Sequence, residues 1–106
     1  MNPEFEYAYH WLRDTAVFLQ RPFDLHLNRE WIEDIEGGRP GFAAQLRLVA
    51  LDALGSENDL LVHKAVAALA IVGERSDIPP LRIVEPRHAK AVRTAVFEIE
   101  HATPAG

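Results

Sequence analysis

Residues 59–81 read DLLVHKAVAALAIVGERSDIPPL, and residues 92–99 read VRTAVFEI. Moved forward by 30 positions, Val62 falls on Val92, Ala65 on Ala95, Val66 on Val96 and Leu69 on Ile99, while His63 meets Arg93, basic on basic. Within each stretch these positions recur at steps of three or four, which places them on one face of an α-helix. Two helices thus bury the same face. The same step backwards sets Trp31 against Leu61, Ile32 against Val62 and Ile35 against Ala65, before Gly37 ends the agreement.

The rest of the chain reads the same way, and no stretch alternates apolar and polar residues over strand length. Pro3 suits a first helical turn, and Phe5, Tyr9, Leu12, Ala16 and Leu19 make one apolar stripe over about 3–20. Arg21-Pro22 ends that helix. Asn28 is an expected N-cap for a helix burying Trp31, Ile32 and Ile35, which Gly37-Gly38 stops. Pro40 opens a helix over about 41–54 carrying Leu46, Val49, Ala50 and Leu54. Asp59 is expected to cap a helix to Val72, ended by Gly73. Ser76 or Asp77 starts a short helix over 78–84, Glu85-Pro86 breaks it, and a last helix runs from Arg87 to His101. One all-helical domain is expected over 1–101, with a frayed tail at 102–106.

A period near 30 residues with two helices per unit is the pattern of a solenoid of helical hairpins, in which each unit buries an apolar face only its neighbour can cover. A compact bundle of four or five helices would show the same stripes and short loops. Residues 59–81 also resemble the short HEAT repeat of the phycobilisome-lyase type. Asp59, Val62, Ala65, Ala68, Leu69, Gly73, Pro79 and Leu81 stand at the matching places, and the chain departs from that pattern at His63, Val66 and Ala70. The resemblance covers residues 59–99. It implies a short α-solenoid of antiparallel hairpins whose second helices, here 41–54 and 78–84, line a concave side with Arg47, Asp52 and Arg82 among its polar members. It also carries a lyase-type chaperone as a further possibility, for which no residue nominates itself.

Composition bounds the function. The chain has 106 residues, no cysteine and a net charge of −5. One domain of this size buries enough surface to fold without disulfides or metal, and the absence of thiols fits a cytoplasmic site. The longest apolar run is broken by His63 and Lys64, too short to span a bilayer, and the acidic, aromatic start MNPEFEYAYHW is unlike a secretory signal. Residues 1–53 hold nine acids against five bases. That balance argues against a duplex-binding protein and for a basic protein partner.

The candidate constellations are few. Glu6, His10 and Asp14 share one helix side and would offer metal ligands to a metal-dependent enzyme. Glu85/His88 and Glu98/His101 repeat the Glu-x-x-His spacing of di-iron bundles, but Pro86 displaces Glu85 from the helix. Ser56 and Ser76 lie in turns without the elbow a nucleophile needs. Gly37-Gly38-Arg39-Pro40-Gly41 lacks the lysine and hydroxyl of a phosphate loop. No catalytic or cofactor motif stands out. Arg82, Arg87, Lys90 and Arg93 make one basic cluster. Glu30, Glu33, Asp34 and Glu36 make an acidic one around Trp31, which becomes a hot-spot candidate where it is exposed. The expectation is a non-catalytic module that binds another protein through a helical surface. An immunity or antitoxin-type protein covering a basic toxin is the alternative, and homodimerisation is open to so short a repeat.

Overall fold

The acidic and apolar helices of the sequence assemble around one of them, 59–72. The computed structural model describes residues 2–15 and 25–101. They form α1 (Pro3–Asp14), α2 (Leu25–Gly38), α3 (Phe42–Ala53), α4 (Asp59–Val72), a 3-10 turn (Arg75–Asp77), α5 (Ile78–Val84) and α6 (Ala89–His101), with no strand among the described residues. The fold is all-α.

Local chemistry sets most of the boundaries. The Asn2 side chain accepts from the Glu4 N–H at 2.9 Å, and Pro3 follows at the first helical position. The helix ends sooner than its apolar stripe suggests: Thr15 is extended, and its N–H closes on the Trp11 carbonyl at 2.9 Å. The expectations for Ala16, Leu19, the Arg21-Pro22 break and the tail at 102–106 lie outside the described residues. Helix α2 begins at Leu25, so Asn28 is not its N-cap but a position on its buried face, one turn before Ile32.

The start of α3 is capped from a distance. Gly41 adopts φ 94°, a left-handed conformation open to glycine at little cost, and the Glu36 carboxylate accepts from the Gly41 N–H at 2.7 Å and the Ala43 N–H at 2.8 Å. At α4 the cap is Asn58 rather than Asp59: its side chain accepts from the N–H groups of Leu60 and Leu61, leaving Asp59 in the first turn, where a carboxylate complements the helix dipole. Asp77 does stand at the N-cap position of α5, but its carboxylate makes no capping bond there and pairs instead with Arg47 and the Glu74 N–H.

Helix α4 packs against α1, α2, α3 and α6, while α3 also packs on α1 and α2, and α5 mainly on α6. Val62, Ala65, Val66 and Leu69 are all buried, and so are Val92, Ala95, Val96 and Ile99, the same positions one period later. The repeat in the sequence is therefore a repeat of buried faces. Rows of helices at this period suit a short solenoid, and the embrace of α4 by four neighbours suits a compact bundle. The α1–α3 contact is aromatic: Phe42 is fully buried, with the rings of Tyr7 and Trp11 edge-on at 5.8 and 5.4 Å. Edge-to-face pairs of this kind add specificity to the area they bury.

Candidate protein interface

Helix α2 turns Asn28 and Ile32 into the core, so helical spacing sends Glu30 and Asp34 to the opposite side. Trp31 sits on the flank of that outer face and is 46% exposed. On the other flank Arg29 and Glu33 line a shallow groove of about 330 Å³, whose walls are Ile32, Ala43, Ala44, Ile71 and Val72. The structure thus leaves Glu30, Trp31, Glu33 and Asp34 all exposed on α2, with Trp31 and Glu33 on opposite flanks of Glu30 and Asp34.

Glu36 does not join them. Its carboxylate is committed to the two amides at the start of α3, which hold it below the usual carboxylate range, the Ala43 hydrogen bond contributing most. It is a cap, and its charge faces the backbone.

Of the residues assigned to a concave side, two are occupied within the chain. The Arg47 guanidinium makes a two-pronged pair with Asp77, Nε to Oδ2 and Nη2 to Oδ1, both at 2.8 Å, and also reaches Glu74 at 3.2 Å. Arg82 pairs with Glu85 at 2.9 Å. Asp52 is exposed. The surface they were expected to form carries one acid and two neutralised bases.

The basic cluster is likewise partly compensated. Arg87 pairs with Asp59, and Arg93 approaches Glu85 at 3.6 Å while remaining largely exposed. Lys90 is exposed, and one turn beyond Arg93 the Phe97 ring is 56% exposed and stacked on His101 at 4.1 Å between ring centres.

The proposed ligands on α1 are arranged differently from a metal site. Arg13 grips the Asp14 carboxylate with Nε at 2.9 Å and Nη2 at 3.2 Å, and this hydrogen bonding lowers the Asp14 pKa. His10 lies edge-on to Tyr9. No group of three or more metal-ligating side chains comes together among the described residues.

Three features were not legible in the sequence. Arg39 pairs in two-pronged fashion with Glu4, both bonds at 3.1 Å, and lies 3.8 Å over the Tyr7 ring. Lys64, only 6% exposed, donates to the Arg13 carbonyl at 2.7 Å, placing a cation on the last turn of α1 where the helix dipole favours one. Asn28 is buried, and its side-chain amide has no hydrogen-bond partner among the described residues. Lys64, which with His63 interrupts an apolar run, was the visible signal for the second of these.

No protein-family model matches the chain, and no curated protein or solved structure matches it either. No helix among the described residues is long and apolar enough to cross a membrane.

Proposed function

We propose that this protein is a non-catalytic interaction module that binds another protein through the outer face of α2. The observation that carries this is Trp31: an indole nearly half in solvent, on a helix whose neighbouring exposed positions are Glu30, Glu33 and Asp34. A large aromatic costs solvation where it is left open, and tryptophan is enriched among residues that anchor interfaces. The carboxylates of Glu30 and Asp34 beside it would steer a basic surface toward the indole and exclude an acidic one. HEAT-like hairpins and a cytoplasmic site remain part of this reading. Its narrower form, an immunity-type protein covering a basic toxin, uses the same face; a toxin reading frame adjacent to this one would favour it.

The test is an affinity capture from the native organism with wild type and a Glu30→Lys/Glu33→Lys/Asp34→Lys control. Glu36 is left intact because it caps α3. A basic protein retained by wild type and lost from the control supports the reading. The same set of proteins on both baits removes it.

A further inference from the structure

We infer that a second copy of this chain lays the α6 face containing Lys90, Arg93 and Phe97 against the α2 face containing Glu30, Glu33 and Asp34, joining copies head to tail. The inference rests on α2 being the binding surface, as proposed above, and names its occupant.

The argument begins with the repeat. In α4 the face at positions 64 and 67 is covered: Lys64 is 6% exposed and hydrogen-bonded to α1, and Ala67 is 5% exposed. Thirty residues later the equivalent positions are Thr94 and Phe97, both exposed; thirty residues earlier they are Asp34 and Gly37, both exposed. One face is therefore packed in the middle helix and open in the first and last helices of the row. Repeat stacks end in polar caps when they stand alone. Here the open face of α6 instead presents an aromatic ring, 56% exposed.

The two open faces also carry opposite charge at equivalent places. Glu30 and Glu33 on α2 correspond, two periods on, to Lys90 and Arg93 on α6. Asp34 adds a third carboxylate to the first face. Both are diluted at their edges, the first by Arg29 beside Glu33 and the second by Glu85 beside Arg93 and by the exposed Glu100 beyond it. A surface that is acidic at one end of a molecule and basic at the equivalent register of the other is complementary to a second copy of itself. Trp31 flanks the first face and Phe97 lies in the second, so each side brings an aromatic group to a contact otherwise held by charge. Because the two faces differ, the contact is heterologous, and it builds rings or open chains rather than a two-fold dimer.

The experiment is sedimentation and light scattering of purified protein over a range of concentrations, at low and at high salt. Wild type is expected to rise in mass with concentration and to fall back toward monomer in roughly 1 M salt, where charges are screened within about 3 Å. Glu30→Lys/Glu33→Lys/Asp34→Lys and Lys90→Glu/Arg93→Glu should each weaken association at least tenfold or so. Each variant alone now carries like charge on both faces. Mixed in equal amounts, they should associate again, since one supplies an acidic α2 and the other a basic α6. All substituted residues are exposed, and circular dichroism of each variant checks that it stays folded. A wild type that is monomeric throughout overturns the second-copy assignment, while the capture experiment above still decides on a foreign partner. Association that survives the α6 reversal, or a mixture that stays monomeric, overturns it as well.

Discussion

Arg47 on α3 and Asp77 at the entrance to α5 form a two-pronged ion pair across 30 residues of sequence, with both N–O distances 2.8 Å and Asp77 2% exposed. The carboxylate has a third donor in the Glu74 N–H at 2.8 Å, while the Glu74 side chain completes a reciprocal capping box. Its charge is thus removed from water but fully partnered. A buried pair is worth little against an apolar replacement of both members, yet breaking one member strands the other.

Asp77→Ala should therefore cost about 3 kcal/mol of unfolding free energy, measured by urea titration. Arg47→Ala should cost a comparable amount, and the double variant less than the two losses combined, because the groups share one interaction. Fully additive losses would mean the two side chains act separately. Arg47 belongs to the scaffold in this account, so its replacement should lower stability before it lowers partner affinity.

Gly73 and Gly37 are expected to respond to alanine in opposite directions. A Cβ on Gly73 would lie 2.4 Å from the Leu69 carbonyl oxygen and 2.9 Å from Ile99 Cδ1. Backbone cannot yield there cheaply, so Gly73→Ala should destabilise by about 1–3 kcal/mol. At Gly37, inside α2, nothing lies within 4 Å. Gly37→Ala should stabilise by about 0.4–1 kcal/mol through the helix propensity gained and the unfolded-chain entropy removed. Thermal melts of the two variants beside wild type decide both.

That pair also marks how far the sequence could be read. The 30-residue step picked out Val62, Ala65, Val66 and Leu69 with their α6 counterparts, and all eight are buried, because apolar periodicity is a direct record of which helix face meets the core. Gly73 was legible as a helix stop, but the space that demands glycine, between the Leu69 carbonyl and the Ile99 side chain of α6, depends on how the helix end turns and packs. Capping failed for a similar reason. Asn28, Asp59 and Asp77 each have the right chemistry for an N-cap, and which oxygen caps which helix depends on competitors: Asn58 caps α4 one residue before Asp59, and Asp77 holds the N-cap position of α5 while Arg47 takes its carboxylate. For the candidate site, the cluster at 30–36 was visible as composition, whereas the inward turn of Glu36 toward α3 depends on a loop closing back over five residues.

Glu36 gives the pH prediction. Hydrogen bonds from the Ala43 and Gly41 amides lower its folded-state pKa. The unfolded state therefore binds this proton more readily, and the contribution to stability is full above the unfolded value, about 4.3 for glutamate, and is lost as pH falls through the lower folded value. Glu36→Gln should remove that part of the acid dependence while leaving the neutral-pH fold in place. Unfolding midpoints of the two proteins should converge as pH drops from about 6 to about 3. Parallel curves would mean that the Glu36 carboxylate does not cap α3.

Trp31 separates binding from folding. The chain has two tryptophans, Trp11 packed edge-on to the buried Phe42 ring and Trp31 nearly half exposed among carboxylates. In a Trp11→Phe variant the remaining emission should be red-shifted and readily quenched by acrylamide, and it should shift to the blue and lose quenching when a partner, or a second copy, covers α2. Trp31→Ala should change stability by less than about 1 kcal/mol, as befits a partly exposed side chain. Its affinity for whatever occupies α2 should fall at least tenfold or so, the scale of a buried aromatic anchor. A variant that binds as wild type does, with an indole that stays open to quencher in the complex, would place the interface elsewhere on the molecule and leave Trp31 as an exposed residue of the scaffold.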